Sequence, residues 1–165
     1  MDGVEQAGGA ARTARVPVAI ALGSNLGARE AHLQEATRRI LALVPDCRVS
    51  TAYETDYVGS GGAQPRYLNA AAVGHTSLPA RDLLRALLEV EASLGRTRPF
   101  PDAPRTVDLD LILYGSHVID EPDLVVPHPR FRQRRFVLEP LAEIAADWRD
   151  PVTGRRIDEL LRALD

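Results

Sequence analysis

The sequence predicts an α+β fold built around an antiparallel sheet, and three observations predict it. Short apolar runs of strand length alternate with longer segments whose apolar residues recur every three or four positions, as in a helix that buries one face. Gly and Pro residues separate these segments. With 45% hydrophobic and 26% charged residues, the 165-residue chain has the composition of a globular protein with one sizeable core.

The first two elements have clear boundaries. A strand is predicted over 16–22, where an apolar run ends at Gly23, and a helix over 29–44, where Pro45 ends the helical spacing. We expect the terminal segment at 156–164 to pack back on the core. The other predicted elements are strands at 47–55, 67–75 and 106–115, loops at 56–66 and 96–105, an extended piece at 118–119, and helical segments at 79–94 and 137–146. This order, βαββαβ and then helices, predicts a ferredoxin-like plait: an antiparallel sheet with helices on one face, plus C-terminal helices.

The charged residues narrow the function. All 20 positive charges are arginine, so the chain cannot form a lysine Schiff base or supply a P-loop lysine. Compositional bias explains most of these arginines, and position must decide which ones bind ligand. The net charge of −3 disfavours a general nucleic-acid binder.

The cysteine count and the N-terminal segment indicate the cellular compartment of the protein. A single cysteine, Cys47, excludes an internal disulfide and a cysteine-based zinc site. No apolar run approaches the roughly 20 residues that span a bilayer, and residues 1–15 lack the apolar core of a secretory signal. We therefore expect a cytoplasmic protein with no membrane partner, a flexible tail at 1–15 and a single domain over 16–165.

The strand predicted over 106–115 carries two carboxylates with one residue between them. Asp108 and Asp110 share one strand face, with Cβ atoms roughly 6–7 Å apart. The apolar residues of the other face are Val107, Leu109, Leu111 and Leu113. The pair can bridge hard cations, and oxygen ligands favour magnesium or manganese. Alternatively, it lies on a solvent-facing sheet edge and is neutralised by arginines.

Arginines concentrate in two segments around this strand. They are Arg96, Arg98 and Arg105 in the preceding loop, and Arg130, Arg132, Arg134 and Arg135 in a later cluster. Carboxylates flanked by arginines suit phosphoryl transfer from a magnesium nucleotide, because metal and guanidinium groups neutralise charge on the phosphates. The alternative is that these arginines are solvated or pair with acidic residues such as Asp120 and Asp123.

Two shorter patterns are less specific. Ser24 and Asn25 lie between a strand and a helix, where we expect one of them to cap the helix. Tyr67 and Asn69 share a strand face and can recognise a flat heterocycle, although a core tyrosine and a turn-stabilising asparagine explain them equally well.

Several motifs together resemble one known family. They are Ala21-Leu22-Gly23-Ser24-Asn25-Leu26-Gly27, Tyr53-Glu54-Thr55, Tyr67-Leu68-Asn69-Ala70, Leu94-Gly95-Arg96-Thr97-Arg98, Pro104-Arg105-Thr106-Val107-Asp108-Leu109-Asp110, Pro127-His128-Pro129-Arg130 and Arg135-Phe136-Val137-Leu138-Glu139-Pro140-Leu141. From about residue 18 to 144, in order, the chain resembles the 6-hydroxymethyl-7,8-dihydropterin pyrophosphokinases of folate biosynthesis. The Pro-Arg-Thr-x-Asp-x-Asp motif is the most specific.

The resemblance implies an enzyme that transfers pyrophosphate from ATP to the pterin hydroxymethyl group and releases AMP. It implies that Asp108 and Asp110 hold two magnesium ions and that Arg96 and Arg105 are catalytic. The nucleotide-binding residues that it implies are Glu91, Arg98, His128 and Arg134. The pterin-binding residues that it implies are Thr55, Val58, Tyr67, Asn69 and Phe136. We expect a monomer whose partners are these two small substrates and not nucleic acid.

Two departures from the family pattern stand out. The loop at 96–105 is one residue short, with Asp102-Ala103 where members often carry Trp-Gly, and Asp56-Tyr57 replaces a proline. Two alternatives stay open: a degenerate paralogue with slow turnover, and a non-catalytic anion- or RNA-binding module of the same fold.

Overall fold

The computed structural model describes residues 14–56, 66–95 and 106–165. Within these residues, a five-stranded antiparallel sheet and a two-stranded hairpin combine with four α-helices and one 3-10 helix. The elements are β1 (Val16–Ser24), α1 (Arg29–Leu41), β2 (Arg48–Val49), β3 (Tyr53–Thr55), β4 (Tyr67–Thr76), α2 (Ala80–Leu94), β5 (Asp108–Tyr114), β6 (Ile119–Glu121), β7 (Leu124–Val126), a 3-10 helix (Phe131–Gln133), α3 (Arg135–Ala145) and α4 (Ile157–Arg162).

The main sheet places the first strand in the middle. β1 pairs with β4 on one side and β5 on the other, while β2 and β3 both pair with β4 along its outer edge. Every one of these pairings is antiparallel. Strands that are distant in the chain are therefore neighbours in the sheet, and the predicted antiparallel pairing is confirmed.

Helices cover both faces of the sheet. Alternating β1 residues such as Val18 and Ile20 pack with α1 and α2 in one apolar cluster. Ala19 of β1 and Ala71 of β4 point the other way and pack with α3 and α4. The small alanines let α3 lie close to the sheet, because their side chains add little thickness between helix and strand. The expectation that the C-terminal segments pack back on the core is confirmed, and they form the second layer.

The strand predicted over 47–55 is interrupted, and Ser50 accounts for the interruption. Its backbone N–H donates to the Ala71 carbonyl at 2.9 Å. Its hydroxyl accepts from the Ala71 N–H at 2.9 Å, in place of a backbone carbonyl. The ladder therefore breaks between β2 and β3, and Cys47 lies outside both strands.

A bulge in β5 changes the predicted alternation. Ala19 pairs with Leu113 but its neighbour Ile20 pairs with Leu111, so Ile112 is the extra residue. Leu113 consequently packs in the α3 side cluster and not with Leu109. The two carboxylates precede the bulge and keep their shared face.

The region after β5 contains more regular structure than the single extended piece predicted at 118–119. The hairpin β6–β7 and the 3-10 helix replace the expected extended piece, and α3 begins two residues earlier than expected. Phe131 of the 3-10 helix is completely buried, which explains why this short turn is fixed. No helix in the described part of the chain is long and apolar enough to cross a membrane.

Candidate active site

A row of residues crosses the sheet at the end where β1 finishes. Asp108 lies opposite Gly23, Gly23 opposite Asn69, and Asn69 opposite Tyr53. Directly paired residues in an antiparallel sheet point to the same face. Neighbouring strands are about 4.8 Å apart, so Asp108 and Asn69 are separated by about 10 Å. Gly23 lies between them without a side chain and leaves a gap above the sheet.

Contacts around Gly23 show what borders that gap. A Cβ atom added at Gly23 would lie 3.3 Å from Asn69 Oδ1 and 3.4 Å from Tyr67 Cδ1. Tyr67 and Asn69 therefore share the face above Gly23, as predicted. Asn69 is buried, and its amide N–H donates to Thr55 Oγ1 at 2.6 Å. The sheet thus brings together three of the predicted pterin-binding residues, Thr55, Tyr67 and Asn69.

The backbone between the two carboxylates is held from the adjacent helix. Glu91 of α2 accepts a hydrogen bond from the Leu109 N–H at 2.6 Å. This N–H points away from β1, and no described strand lies on that side of β5 to pair with it. The Glu91 carboxylate therefore accepts the hydrogen bond that a backbone carbonyl of a neighbouring strand would otherwise accept from Leu109. Sequence reasoning assigned Glu91 to the nucleotide and missed this contact, because the contact depends on where α2 packs.

The donor set at β5 fits magnesium. Asp108 and Asp110 are both partly buried on the α3 face of the sheet, and the described residues contain no group of three or more metal-binding side chains. Magnesium is typically bound by one or two carboxylates together with substrate phosphates and water. Two carboxylates on one strand face match that pattern, whereas a protein-only cage for zinc or calcium would need more ligands.

His128 lies beside this strand as a neutral imidazole. Its backbone N–H donates to the Ile112 carbonyl at 3.0 Å, and its Nδ1 accepts from the Arg130 N–H at 3.2 Å. Burial, together with the charges of Arg134 and Arg130, lowers the His128 pKa to about 4, and Asp108 opposes that shift. Because Nδ1 is an acceptor, the ring proton is on Nε2. His128 can donate one hydrogen bond from Nε2 to an anion.

The start of α3 carries the next two predicted residues. The Arg134 guanidinium lies over the Phe136 ring, 5.4 Å from its centroid, a cation–π contact. Phe136 is partly buried against the apolar cluster that contains Ala71. This arrangement places an aromatic ring and a cation together at the N-terminus of a helix that packs on β4.

Four of the predicted site residues lie outside the described residues: Val58, Arg96, Arg98 and Arg105. The structure places the other nine on β3, β4, β5, α2, α3 and the segment before α3.

One prediction about the β1–α1 turn is wrong. Neither Ser24 nor Asn25 caps α1, whose first flanking residue is Ala28 and which has no side-chain cap. β1 extends to Ser24, both residues are buried, and residues 26–28 separate Asn25 from Arg29, where α1 begins.

Sequence reasoning also missed two polar groups that support the site. Glu143 of α3 accepts hydrogen bonds from Thr51 and Tyr53, and the fully buried Asp150 pairs with Arg132. Neither belongs to a short motif. An Asp-Pro pair is only a weak sequence indication of a buried ion pair. The Glu143 contacts join positions about ninety residues apart, so no local pattern indicates them.

Comparison with known proteins identifies the family. A family model described as 7,8-dihydro-6-hydroxymethylpterin-pyrophosphokinase matches residues 19–146. A relative from Bacillus subtilis (strain 168), named 2-amino-4-hydroxy-6-hydroxymethyldihydropteridine pyrophosphokinase, is 43% identical over 142 residues, which cover 85% of this chain and 84% of the relative. A Pseudomonas aeruginosa relative of the same name is 43% identical over 149 residues, covering 88% of this chain and 90% of the relative.

Solved structures show the same fold. The wild-type Plasmodium falciparum HPPK-DHPS structure matches with a TM-score of 0.70 at 11% identity, covering 91% of this chain and 45% of that one. This chain thus spans less than half of that solved chain, and the likeness concerns the fold. With a family model over most of its length and relatives at 43% identity, the chain belongs to the 7,8-dihydro-6-hydroxymethylpterin-pyrophosphokinase family.

Proposed function

We propose that this chain transfers the pyrophosphoryl group of ATP to the hydroxymethyl oxygen of 6-hydroxymethyl-7,8-dihydropterin and releases AMP. The observation that carries the proposal is the row from Asp108 through Gly23 to Asn69. It places a carboxylate suited to metal-bound phosphates about 10 Å from an amide suited to a heterocycle, with a glycine that carries no side chain between them. Family membership favours this reaction over the RNA-binding alternative.

The pterin side of the site is assigned to the β3–β4 edge and the start of α3. The Asn69 amide offers its Oδ1 as an acceptor to the heterocycle edge, while its nitrogen donates to Thr55 Oγ1 at 2.6 Å and to the Tyr53 carbonyl at 3.5 Å, which fixes the orientation of the amide. Tyr67 and Phe136 supply aromatic faces for stacking. Val58 is assigned here by resemblance, for a backbone contact.

The phosphate side is assigned to β5 and the segments beside it. Asp108 and Asp110 would hold magnesium, with two ions proposed, and bound magnesium supplies charge neutralisation on the phosphates. His128 donates from Nε2 to a phosphate oxygen, and Arg134 offers a guanidinium at the N-terminus of α3. Glu91 and Arg98 complete the proposed nucleotide contacts, and Arg96 and Arg105 are the proposed catalytic arginines.

The chemistry needs positioning more than an activated base. The hydroxymethyl oxygen attacks the β-phosphorus of ATP, the bond from that phosphorus to the α–β bridging oxygen breaks, and AMP leaves. Phosphoryl transfer has a loose transition state in which the attacking hydroxyl loses its proton late. The residues of this site therefore act mainly by aligning the two substrates and spreading charge over guanidinium and N–H donors.

The fold and surroundings complete the proposal. The four strands of the predicted βαββαβ order are β1, the interrupted strand β2–β3, β4 and β5. Across the sheet they lie in the order β5, β1, β4 and β2–β3, which supports a ferredoxin-like plait over 16–165. We assign that range to a single pyrophosphokinase domain preceded by a tail at 1–15, acting as a monomer in the cytoplasm with ATP and the pterin as its small-molecule partners.

An AMP-release assay tests the proposal. With ATP, magnesium and 6-hydroxymethyl-7,8-dihydropterin, the wild-type chain should form AMP, and Asp108→Asn should lose at least a hundredfold in kcat. Asp120→Asn, an exposed aspartate on β6, is the matched control and should retain wild-type turnover. Absence of AMP from folded wild-type protein would overturn the proposal. Equal turnover of Asp108→Asn and wild type would overturn the metal assignment.

A further inference from the structure

Glu143 joins helix α3 to the interrupted edge strand of the sheet. Its Oε1 accepts from the Thr51 hydroxyl at 2.8 Å and from the Tyr53 hydroxyl at 2.6 Å. Its Oε2 accepts from the Thr51 backbone N–H at 3.0 Å. The next residue, Ile144, accepts from the Arg48 guanidinium through its carbonyl at 3.1 Å. Four hydrogen bonds therefore connect the C-terminal half of α3 to the β2–β3 edge.

Both ends of this connection lead to the pterin side of the site. Along α3, Phe136 precedes Glu143 by seven residues, which is about two turns and 10 Å on the same helix face. Along β3, Tyr53 precedes Thr55 by two residues and pairs directly with Asn69. One wall of the proposed pterin cleft thus belongs to the helix and the other to the edge strand.

Apolar packing and directed hydrogen bonds hold α3 on the sheet in different ways. Its buried residues Val137, Leu138 and Leu141 belong to the cluster that also contains Ala71 and the larger Leu113. This apolar burial is not directional. Hydrogen bonds are directional and lose most of their energy over a shift of about 1 Å.

We propose that Glu143 is a positioning residue for the pterin: by holding Thr51 and Tyr53, it sets the width of the cleft between Phe136 and the Asn69–Thr55 pair. This rests on the proposed function. Glu143 is exposed and about two helical turns from Phe136, so it acts through the placement of α3 and not by touching the substrate.

Kinetics that separate the two substrates test this role. In Glu143→Ala we expect the KM for 6-hydroxymethyl-7,8-dihydropterin to rise about tenfold or more, because several hydrogen bonds to a carboxylate are lost. The KM for ATP should stay within about twofold of wild type. Tyr53→Phe removes one of the hydrogen bonds and should raise the pterin KM by a smaller factor, and Glu143→Gln should fall between Glu143→Ala and wild type.

Glu35→Ala is the matched control. Glu35 is also a glutamate on a helix with hydrogen bonds to two partners, Arg38 and Arg39, but its helix α1 packs on the other sheet face. The KM values of Glu35→Ala for ATP and for the pterin should both equal those of wild type. An equal rise of both KM values in Glu143→Ala, or no rise in either, would overturn the positioning role.

Direct measurement of pterin binding tests the role of Glu143 separately from the proposed reaction. Pterin affinity measured by calorimetry should fall in Glu143→Ala and Tyr53→Phe even if wild-type turnover proves absent. Wild-type protein that binds pterin but forms no AMP would overturn the proposed reaction and leave the cleft supported. Wild-type protein that binds no pterin would overturn both.

Discussion

At the scale of single residues, Gly23 is the position where an added methyl group should affect the site most. Its missing side chain leaves the gap between Asp108 and Asn69. In Gly23→Ala the new Cβ would lie 3.3 Å from Asn69 Oδ1 and 3.4 Å from the Tyr67 ring, so both must move by a few tenths of an ångström.

We therefore expect Gly23→Ala to raise the pterin KM and lower kcat, with a stability loss of about 1–3 kcal/mol from overpacking. Steady-state kinetics and urea unfolding measure these effects. A Gly23→Ala variant with wild-type kinetics and reduced stability would show that the gap is not used by substrate.

His128 gives a second residue-scale expectation. Its Nδ1 is occupied by the Arg130 N–H, so only Nε2 can serve the nucleotide. Glutamine carries an N–H donor at a similar reach to Nε2, whereas asparagine reaches only as far as Nδ1. His128→Gln should therefore keep a lower ATP KM than His128→Asn. Equal ATP KM values for the two variants would contradict the assigned tautomer.

Part of this residue-level detail can be predicted from sequence. The two-residue period of a strand places Asp108 with Asp110 and Tyr67 with Asn69, and the structure has both pairs on shared faces. The contacts of Glu91 with Leu109 and of Glu143 with Tyr53 cannot be predicted in that way. They depend on how helices lie against strands that are distant in sequence.

At the scale of elements, a buried ion pair fixes the segment between His128 and α3. Asp150 is fully buried and accepts two hydrogen bonds from the Arg132 guanidinium, at 2.5 and 2.9 Å. Burial opposes its ionisation, but hydrogen bonds from Arg132, Val152 and Thr153 outweigh burial and lower the Asp150 pKa. The 3-10 helix that carries Arg132 is thereby tied to the turn before α4.

Removing that carboxylate should cost stability and nucleotide binding together. For Asp150→Ala we expect a loss of about 3 kcal/mol in the free energy of unfolding, because Arg132 keeps its charge without a partner. The ATP KM should also rise, since His128 and Arg134 flank the 3-10 helix. Asp158→Ala, which breaks the pair with Arg156, is the control and should cost less, because Asp158 is 25% exposed whereas Asp150 is fully buried. Equal losses in the two variants would contradict this account.

Element boundaries show where local pattern is insufficient. The strand at 47–55 follows an alternating pattern, but the Ser50 hydroxyl replaces a backbone acceptor and divides the strand. The extra residue Ile112 likewise reverses the alternation late in β5. Both irregularities arise from pairing with another strand, whose register is invisible in the local sequence.

At the scale of the whole molecule, stability should fall on acidification in two stages. The His128 pKa is about 4 in the folded chain and near 6.5 when unfolded, so the unfolded state binds the extra proton between these values. Stability is then fully present above about pH 6.5 and declines toward pH 4. Carboxylates with lowered pKa values, such as Glu35 at about 2 through its hydrogen bonds from Arg38 and Arg39, add a steeper decline below about pH 4.

Urea unfolding from pH 3 to 8 measures both stages. His128→Gln should remove much of the decline between pH 6.5 and 4 while the decline below pH 4 remains. A His128→Gln variant with the same pH dependence as wild type would contradict the neutral, buried state of this imidazole.

The order of strands explains how residues that are distant in the sequence become neighbours in the proposed site. Once β1 is central, β4 and β5 lie on either side of it, and the Asn69 and Asp108 positions meet across Gly23. The βαββαβ order predicts such an antiparallel sheet, but not the second helical layer that brings Phe136 to it. That layer follows from the small side chains on one sheet face and from a C-terminal segment with only a general apolar pattern.

The most direct test of the central claim is phosphorus NMR of the reaction products. Wild-type chain with ATP, magnesium and 6-hydroxymethyl-7,8-dihydropterin should yield AMP and a pyrophosphate monoester of the pterin in equal amounts. Omitting the pterin should leave ATP intact. Formation of ADP with a pterin monophosphate, or AMP release that does not depend on the pterin, would contradict the account.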